Sequence, residues 1–337
     1  MGFDKKRKNE GGKRYEMTRE KPSRILVTGG AGFIGSNLTE ALLKQGHRVR
    51  ILDNFSTGKR GNLIFDKTYP SLEIMEGDIC DFALCQKSMK EIDYVFHEAG
   101  LASVPQSVED PLTANAVNVE GTLNILLAAR DEGVKRLIYA SSCAVYGDDP
   151  TLPKREGMVP VPLSPYALQK YIGEHYNRLF FQLYDLETVS LRYFNVFGPK
   201  QDPGSVYSGV ISRFIDALVH NQSPVIYGNG EQSRDFVYVD NVVQANLLAM
   251  SAKHLQGEVI NIGCGKKTSL NRLLDVLKEI LGSKVSAIYQ KAQKGDIKES
   301  LADIQKGKEI LNYEPQVEIE IGLKMTVEYF KRQRTKS

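Results

Sequence analysis

A glycine-rich turn between an apolar run and a helical pattern constrains this sequence more than any other feature. Residues 28–35 read TGGAGFIG and follow directly on the apolar run 25–27, which predicts a buried strand. Gly29 permits the tight turn out of the strand, Gly32 lets backbone approach a phosphate, and Gly35 lets the next helix pack closely on the sheet. The helix N-terminus adds partial positive charge at the same point. The pattern predicts a binding site for a dinucleotide.

A carboxylate at the end of the second predicted strand favours NAD over NADP. Asp53 closes the apolar run 49–52 and is followed by Asn54 rather than by an arginine. A carboxylate at this point of a dinucleotide fold accepts a hydrogen bond from the ribose 2′-hydroxyl and repels a 2′-phosphate. The predicted cofactor is therefore NAD.

The charge of the chain is divided between its ends and its body. The net charge is +3, but residues 1–22 carry eight lysines and arginines against four acids, and residues 331–337 carry four lysines and arginines and no acid. The body between them is mildly acidic, which predicts no nucleic-acid partner. A basic run at a chain end is usually solvated, so residues 1–22 are predicted to be a disordered tail.

The four cysteines and the absence of long apolar runs indicate the cellular compartment of the protein. The cysteines at 80, 85, 143 and 264 form no Cys-x-x-Cys pair and have no histidine cluster beside them, so no metal site is predicted. This usage suits a reducing compartment. No signal peptide and no membrane-spanning run are apparent, which predicts a cytoplasmic protein without a membrane partner.

Alternating strands and helices predict the fold class. Strands are expected at 24–28, 48–53, 72–76, 93–97, 135–141 and 188–193, and helices at 33–45, 110–131 and 165–184. This order predicts an α/β protein with a Rossmann-type doubly wound parallel sheet. After Phe194 the pattern loosens, and residues 198–235 are rich in Gly, Pro, Ser and Asn; a strand–helix unit near 236–252, a strand at 258–262 and a helix at 269–281 follow.

Two domains are expected from this organisation. The NAD-binding domain would cover residues 23–198, with a return of the chain at about 236–264. A smaller α/β substrate domain would comprise residues 199–235 and 265–331. Ligands on such a sheet bind beyond the carboxyl ends of the strands, and the following predicted site residues all lie there: Gly29, Asp53, Asp78, Ala99, Ser142 and Asn195.

A tyrosine and a lysine one helical turn apart form the candidate catalytic pair. Ser164 and Pro165 are typical of a helix start, and Tyr166 and Lys170 then share one helix face. A cation at ~4 Å and an effective dielectric constant of ~20 would lower a phenol's pKa by about three units. We therefore expect Lys170 to make Tyr166 a useful base near neutral pH, with the Ser142 hydroxyl bonded to the substrate oxygen.

With these motifs in place, residues 24–330 resemble the extended short-chain dehydrogenases/reductases, and within them the UDP-sugar 4-epimerases. The segments that carry the resemblance, besides the glycine turn, are residues 53–58, 77–79, 142–147, 166–170, 191–195 and 233–236. Cys143 and Ala144 stand where dehydratases and decarboxylases of this class carry an acid, which favours simple epimerisation.

The resemblance implies a reaction and two sets of binding residues. Tyr166 would take the proton of the sugar 4-hydroxyl while C4 gives hydride to NAD, and the 4-keto sugar would rotate and receive the hydride on its other face. Asn195 and Arg234 would contact the nucleotide diphosphate, and Asp78 and Ile79 the adenine. The cofactor-binding set is Gly29, Gly32, Phe33, Ile34, Gly35, Asp53, Asn54, Asp78, Ile79, Ala99, Tyr166 and Lys170.

Several segments resemble the epimerases that act on UDP-N-acetylglucosamine. Residues 101–107 and 201–203 match, and Ser300 stands where a tyrosine would close the sugar pocket, so its small side chain leaves room for an N-acetyl group. The implied substrate-binding set is Ser103, Ser142, Asn195, Gln201, Tyr207, Arg234 and Ser300. Gln293 departs from the family, which often has a phosphate-binding arginine there.

Other functions stay open at this point. UDP-glucose/UDP-galactose 4-epimerase and UDP-uronic acid 4-epimerase are alternatives of the same chemistry. An NAD-sensing scaffold without activity is an alternative of another kind, against which Ser142, Tyr166 and Lys170 argue. The resemblance also implies a homodimer, in which the helices at 110–131 and 165–184 pair with their copies.

Overall fold

The computed structural model describes residues 22–202, 209–292 and 298–334. Its strands are β1 (Arg24–Thr28), β2 (Arg48–Asp53), β3 (Leu72–Glu76), β4 (Tyr94–His97), β5 (Arg136–Ser142), β6 (Glu187–Tyr193), β7 (Asn195–Phe197), β8 (Val225–Tyr227), β9 (Ser233–Arg234), β10 (Phe236–Tyr238), β11 (Glu258–Ile262), β12 (Thr268–Ser269) and β13 (Ile288–Gln290). The tail predicted at residues 1–22 lies almost wholly outside the described part.

The helices are α1 (Phe33–Lys44), α2 (Phe82–Met89), α3 (Val104–Glu109), α4 (Pro111–Asn115), α5 (Gly121–Asp131), α6 (Pro165–Tyr184), α7 (Val210–Val219), α8 (Val239–Ser251), α9 (Leu270–Leu281), α10 (Gln305–Leu311) and α11 (Ile319–Arg334). None of the described helices is long and apolar enough to cross a bilayer.

A seven-stranded parallel sheet organises the larger part of the molecule. Its order is β3-β2-β1-β4-β5-β6-β11, so the predicted Rossmann-type α/β class is confirmed. One hydrophobic cluster joins the sheet to α1 and α8, and a second joins its other face to α2, α5 and α6. The strand order reverses between β1 and β4, because β2 and β3 follow on one side of β1 and β4 to β6 lie on the other. Sheets of this kind bind ligands at this point.

A third hydrophobic cluster lies among the later elements. It unites side chains of α7, α9 and α11 with those of β8 and β10. Short strand pairs support it: β10 with β7, β9 with β12, and β8 with β13. No helix was predicted within residues 198–235, but α7 lies there, and its buried Ile211, Phe214, Ile215 and Leu218 recur at helical spacing.

The helix predicted at 110–131 is interrupted. It consists of α4, a π-type turn over Ala116–Glu120, and α5. The buried Asn118 lies in this turn, where its Oδ1 accepts from Leu101 N at 2.8 Å and its Nδ2 donates to Gln169 Oε1 at 2.8 Å. The wider turn thus presents a side-chain amide to the loop after β4 and to α6.

Candidate active site

The glycine turn has the geometry that a dinucleotide phosphate requires. Gly29 has a φ of +67°, and a Cβ there would lie 2.7 Å from the backbone nitrogen of Ala99. A Cβ on Gly35 would lie 2.2 Å from the carbonyl oxygen of Gly29, so α1 could not approach the strand with any larger residue. Gly32 caps α1 without a side-chain hydrogen bond, which leaves the first helical N–H groups for an anion.

Asp53 is held at the end of β2 by two backbone donors. Its Oδ2 accepts from Ala31 N and its Oδ1 from Phe55 N, both at 2.8 Å, and the residue is 7% exposed. A Cβ on Gly58 would lie 2.8 Å from Oδ1, so that glycine keeps space beside the carboxylate. Each oxygen retains a lone pair, so the carboxylate fits a ribose hydroxyl.

The predicted adenine residues form a wall beyond β2 and β3. Asn54 Nδ2 donates to Asp78 Oδ2 at 2.7 Å, and Cys80 N donates to Asp78 Oδ1 at 2.8 Å. Burial opposes ionisation of Asp78, but these hydrogen bonds outweigh it and lower the pKa of the carboxyl. Ile79 is buried against Gly121, where a Cβ would meet its Cδ1 at 2.6 Å. The structure thus brings Asn54, Asp78 and Ile79 together.

Ala99 closes the opposite side of the glycine turn. Its N–H donates to Thr28 Oγ1 at 3.2 Å, and its backbone lies against Gly29. Together with the turn, Asp53 and the adenine wall, this set surrounds one crevice at the carboxyl ends of β1, β2 and β4. The residues present therefore fit NAD.

Ser142, Tyr166 and Lys170 come together at the ends of β5 and α6. Ser164 Oγ accepts from Ala167 N at 3.2 Å and so caps α6, as predicted. The Ser142 hydroxyl lies close enough to the Tyr166 hydroxyl to affect its pKa, and Ser142 Oγ accepts from Ala144 N at 3.1 Å. Lys170, 5% exposed, donates from Nζ to the carbonyl oxygen of Ala140 at 2.8 Å.

The protonation of Tyr166 differs from the sequence prediction, which expected a lowered pKa. Burial raises the pKa of Tyr166 to about 12, and the hydrogen bond with Ser142 offsets only part of this effect. Burial also lowers the pKa of Lys170 to about 8, although Glu98 and Glu174 act in the opposite direction. The prediction was wrong for the protein alone: it relied on an attraction to Lys170, whereas removal from water has the largest effect on the pKa of Tyr166.

Three of the predicted substrate residues line a cleft of about 290 Å³. Asn195, Gln201 and Arg234 line it, as do Arg213 and Tyr227, which the sequence reading missed. Tyr227 is the last residue of β8 and is followed by a glycine. The expectation that ligand-binding residues lie at the carboxyl ends of strands could therefore have identified it. Arg213 lies on α7, which was not predicted.

Contacts within the cleft hold its polar side chains in place. Asn195 Nδ2 donates to the carbonyl oxygen of Asp235 at 3.2 Å, and Gln201 Oε1 accepts from Ser212 Oγ at 2.9 Å. Arg234 donates from Nη1 to the carbonyl oxygen of Ser233 at 2.9 Å. The cleft therefore places amide and guanidinium groups together, as recognition of a diphosphate requires.

Ser300 lies between this cleft and the catalytic turn. It is 8% exposed, and its N–H donates to the carbonyl oxygen of Ser233, next to Arg234, at 3.1 Å. Two residues on, Ala302 donates to Asp235 Oδ2 at 3.1 Å and packs on Val145. The segment thus runs from the cleft towards the turn that carries Ser142.

The remaining predicted substrate residues have other surroundings. Ser103 caps α3 by accepting from Gln106 N at 3.1 Å, so its hydroxyl oxygen serves the helix. The same helix supports the active site through Ser107, whose Oγ accepts from Tyr166 N at 3.1 Å. Tyr207 and Gln293 lie outside the described residues. Within the described ranges, no cluster of three or more His, Cys, Asp or Glu could hold a metal ion.

Comparison with known proteins agrees with this geometry. Residues 25–263 match the model of the NAD dependent epimerase/dehydratase family. The chain is 43% identical to a putative UDP-glucose 4-epimerase of Methanocaldococcus jannaschii, over 91% of this chain and 98% of that one.

Two solved structures have the same architecture. One is a UDP-N-acetylglucosamine 4-epimerase from Methanobrevibacter ruminantium M1 in complex with UDP-N-acetylmuramic acid: its TM-score is 0.89 and its identity 42%, over 93% of this chain and all of that chain. The other is a UDP-glucose 4-epimerase from Thermotoga maritima with UDP-glucose: its TM-score is 0.87 and its identity 41%, over 92% and 99% of the two chains.

The chain belongs to the NAD dependent epimerase/dehydratase family, among its extended short-chain dehydrogenase/reductase members that are UDP-sugar 4-epimerases. It is an NAD-dependent isomerase of a UDP-sugar.

Proposed function

We propose that the enzyme interconverts UDP-N-acetylglucosamine and UDP-N-acetylgalactosamine by inversion at C4. The observation that carries this proposal is the small, buried Ser300 on the segment between the diphosphate cleft and the catalytic turn. A bulky side chain at this point would occupy the space that a 2-acetamido group needs, and packed sites absorb added volume only with strain.

Three side chains carry the reaction in this proposal. Tyr166 removes the proton of the C4 hydroxyl, Ser142 orients that oxygen through its hydroxyl, and Lys170, one turn further along α6, supplies positive charge. NAD held by the glycine turn and Asp53 would supply the acceptance and return of the C4 hydride, and its oxidised ring would add positive charge. Because the pKa of Tyr166 is raised in the protein alone, both charges are needed to make it a base.

The binding roles follow from the same geometry. Asp53 accepts from the adenosine ribose, and the α1 N-terminus faces the pyrophosphate of the cofactor. Arg234 and Asn195 hold the diphosphate of the sugar nucleotide. In domain terms, we assign cofactor binding to residues 23–198 with the return at about 236–264, and nucleotide-sugar binding to the other segments of the body.

Epimerisation of UDP-glucose and UDP-galactose is the second candidate. It is favoured by the similarity to the Methanocaldococcus jannaschii and Thermotoga maritima proteins, which is as strong as that to the acetylated-sugar enzyme. UDP-uronic acids are a third class of substrate for the same reaction. Lys298, whose carbonyl oxygen accepts from Arg234 Nη1 at 3.4 Å, could supply a positive charge for the uronic acid carboxylate. A scaffold without activity would not need the contact between Tyr166 and Ser142.

We also propose that the enzyme is a homodimer. The surface of α4 and α6 exposes large apolar side chains: Leu112 is 83% exposed, Leu168 47%, Leu179 44% and Leu183 66%. Apolar patches of this kind on a soluble protein mark interaction surfaces. A symmetric pairing of these helices with their copies would bury them.

The test of the substrate is a panel of UDP-sugars with products resolved at C4. We expect wild-type turnover of UDP-N-acetylglucosamine and its loss in Ser300→Tyr by about a hundredfold in kcat/KM, or ~2.7 kcal/mol, while UDP-glucose turnover persists. Ser300→Ala is the matched control, because it keeps the space, and Tyr166→Phe is the inactive control. Equal loss of both activities in Ser300→Tyr, or a wild type that ignores the acetylated sugar, would contradict the proposal.

A further inference from the structure

A partly buried carboxylate beside the catalytic lysine has no role in the reaction described so far. Glu98 follows β4 and lies two residues before Gly100, where an added Cβ would lie 3.4 Å from Lys170 Nζ. Its Oε1 accepts from the hydroxyl of Tyr193 on β6 at 2.8 Å. Asn246 on α8 donates from Nδ2 to that same hydroxyl at 2.8 Å, and Asn246 Oδ1 lies 3.1 Å from it, so Glu98 is the nearer of the two acceptors for the phenol proton. Tyr193 thus holds the carboxylate in place, and Asn246 holds Tyr193.

Lys170 needs a nearby negative charge to stay protonated. Its ammonium group is removed from water, and the hydrogen-bond acceptor it reaches is the neutral carbonyl of Ala140. The ring of Tyr139 lies 4.9 Å away and adds a weak attraction. Burial of an ammonium group favours its neutral form, and a carbonyl does not reverse this preference.

Two carboxylates among the described residues act on the charge of Lys170, and they are not equivalent. Glu174 is committed to Arg192, which binds it through Nε at 2.8 Å and Nη2 at 2.7 Å, with both side chains 3% exposed. That pair is close to neutral as a unit. Glu98 accepts from a neutral phenol instead, so its charge remains to act on Lys170.

His97 is a further titratable group close to Lys170, and it is fully buried. Its Nδ1 is hydrogen-bonded to Thr28 Oγ1 at 2.7 Å and its Nε2 to Thr122 Oγ1 at 3.0 Å. Burial, with a contribution from Lys170, lowers the pKa of His97 to about 3, so it is neutral at working pH. His97 therefore neither competes with Lys170 nor supports it.

We propose that Glu98 is a positioning residue for catalysis, whose negative charge keeps Lys170 protonated beside Tyr166. The inference rests on the proposed role of Lys170 and adds the residue that maintains its charge. Burial raises the pKa of Glu98 to about 7, while Tyr193 and Lys170 lower it. The charged pair is therefore present above neutral pH and is lost as rising pH removes the proton of Lys170, whose pKa is about 8.

The variant Glu98→Gln separates charge from shape. Glutamine has the same size, and its carbonyl oxygen can accept the hydrogen bond of Tyr193, so the packing is kept while the charge is removed. We expect the alkaline limb of the kcat profile to move to lower pH by about one unit, the size expected for one charge several ångströms away at an effective dielectric constant near 20. Glu98→Asp keeps the charge and should restore most of the shift.

A direct readout does not depend on turnover. In the NAD-loaded enzyme with lysines labelled at Cε, the Lys170 resonance is assigned by its loss in Lys170→Met and followed through a pH titration. Its midpoint should fall by about one unit in Glu98→Gln. Tyr193→Phe should move it in the same direction by less, because it removes the hydrogen bond that favours ionised Glu98.

The outcomes separate this inference from the substrate assignment. An unchanged Lys170 midpoint in both Glu98→Gln and Tyr193→Phe overturns the inference, as does a Glu98→Asp variant that behaves like Glu98→Gln. If Glu98→Gln does not fold, Tyr193→Phe and Glu98→Asp decide the question. The kinetic profile is measured with whichever UDP-sugar the wild type converts, so an error in the proposed sugar appears in the substrate panel and leaves the titration interpretable.

Discussion

Asp53 shows how one side chain serves both the local fold and the cofactor site. Its two oxygens accept from Ala31 N and Phe55 N, which ties the glycine turn to the loop after β2. A sequence argument identifies the acid by its position at a strand end. The backbone contacts explain why its orientation does not depend on a bound ligand.

Replacement of Asp53 tests the choice of cofactor. In Asp53→Asn the charge that repels a 2′-phosphate is removed, so we expect NAD affinity to fall about tenfold, ~1.4 kcal/mol, and the preference over NADP to narrow. Calorimetric titration of both cofactors measures this. Because an asparagine amide would face one of the two backbone donors, thermal unfolding without added cofactor controls for damage to the loop. A variant that keeps the wild-type preference would contradict the assignment.

At the scale of elements, close contact between α6 and β5 sets the position of the catalytic pair. Gly173 is the contact point: a Cβ there would lie 2.3 Å from the hydroxyl oxygen of Tyr139, a fully buried residue. Tyr166 and Lys170 lie on the preceding turns of the same helix. Any displacement of α6 from the sheet therefore moves both side chains away from Ser142.

Gly173→Ala tests this coupling. The added methyl cannot fit without a shift of the helix, so we expect a loss of ~1–3 kcal/mol in the free energy of unfolding and a lower kcat. Urea unfolding and steady-state kinetics measure the two effects. Gly61→Ala is the control, because no atom lies within 4 Å of its added Cβ. A Gly173→Ala enzyme with wild-type stability and kcat would show that the contact is not limiting.

Two elements also show where local reading failed and why. The π-type turn at Ala116–Glu120 depends on the hydrogen bonds of Asn118 to Leu101 and Gln169, which are distant in sequence. No periodicity of the residues within the segment predicts such a turn. By contrast, the apolar residues of α7 recur at the three- and four-residue spacing of a helix. A comparison of residues 210–219 with that spacing would have predicted the helix, despite the glycines and prolines around it.

At the scale of the whole molecule, the apolar side chains left on α4 and α6 predict how two copies associate. In the proposed homodimer, Leu179→Lys with Leu183→Lys places two charges in the contact, which costs more than the interface can offset. We expect wild type to sediment as a dimer at micromolar concentration and this double variant to sediment as a monomer near 37.7 kDa. Ile64→Lys is the control, since Ile64 is 69% exposed and lies outside these helices. A monomeric wild type would refute the proposal.

Local patterns in the chain were sufficient for the sheet and for the identity of the cofactor, and the family resemblance carried by its motifs was sufficient for the reaction class. The strands of the larger sheet up to β6 begin and end within one residue of their predicted bounds, because apolar runs and glycine spacing are properties of contiguous residues. The crevice at the strand ends follows from parallel topology alone.

Only the tertiary structure decided the electrostatics of the active site. The raised pKa of Tyr166 and the lowered pKa of Lys170 arise from burial, which depends on how β5 and α6 pack with the rest of the molecule. Glu98, Tyr193 and Asn246 meet although they are far apart in the chain, and no local pattern links them. Residue types and their spacing follow from the sequence, whereas desolvation and long-range contacts exist only once the chain is folded.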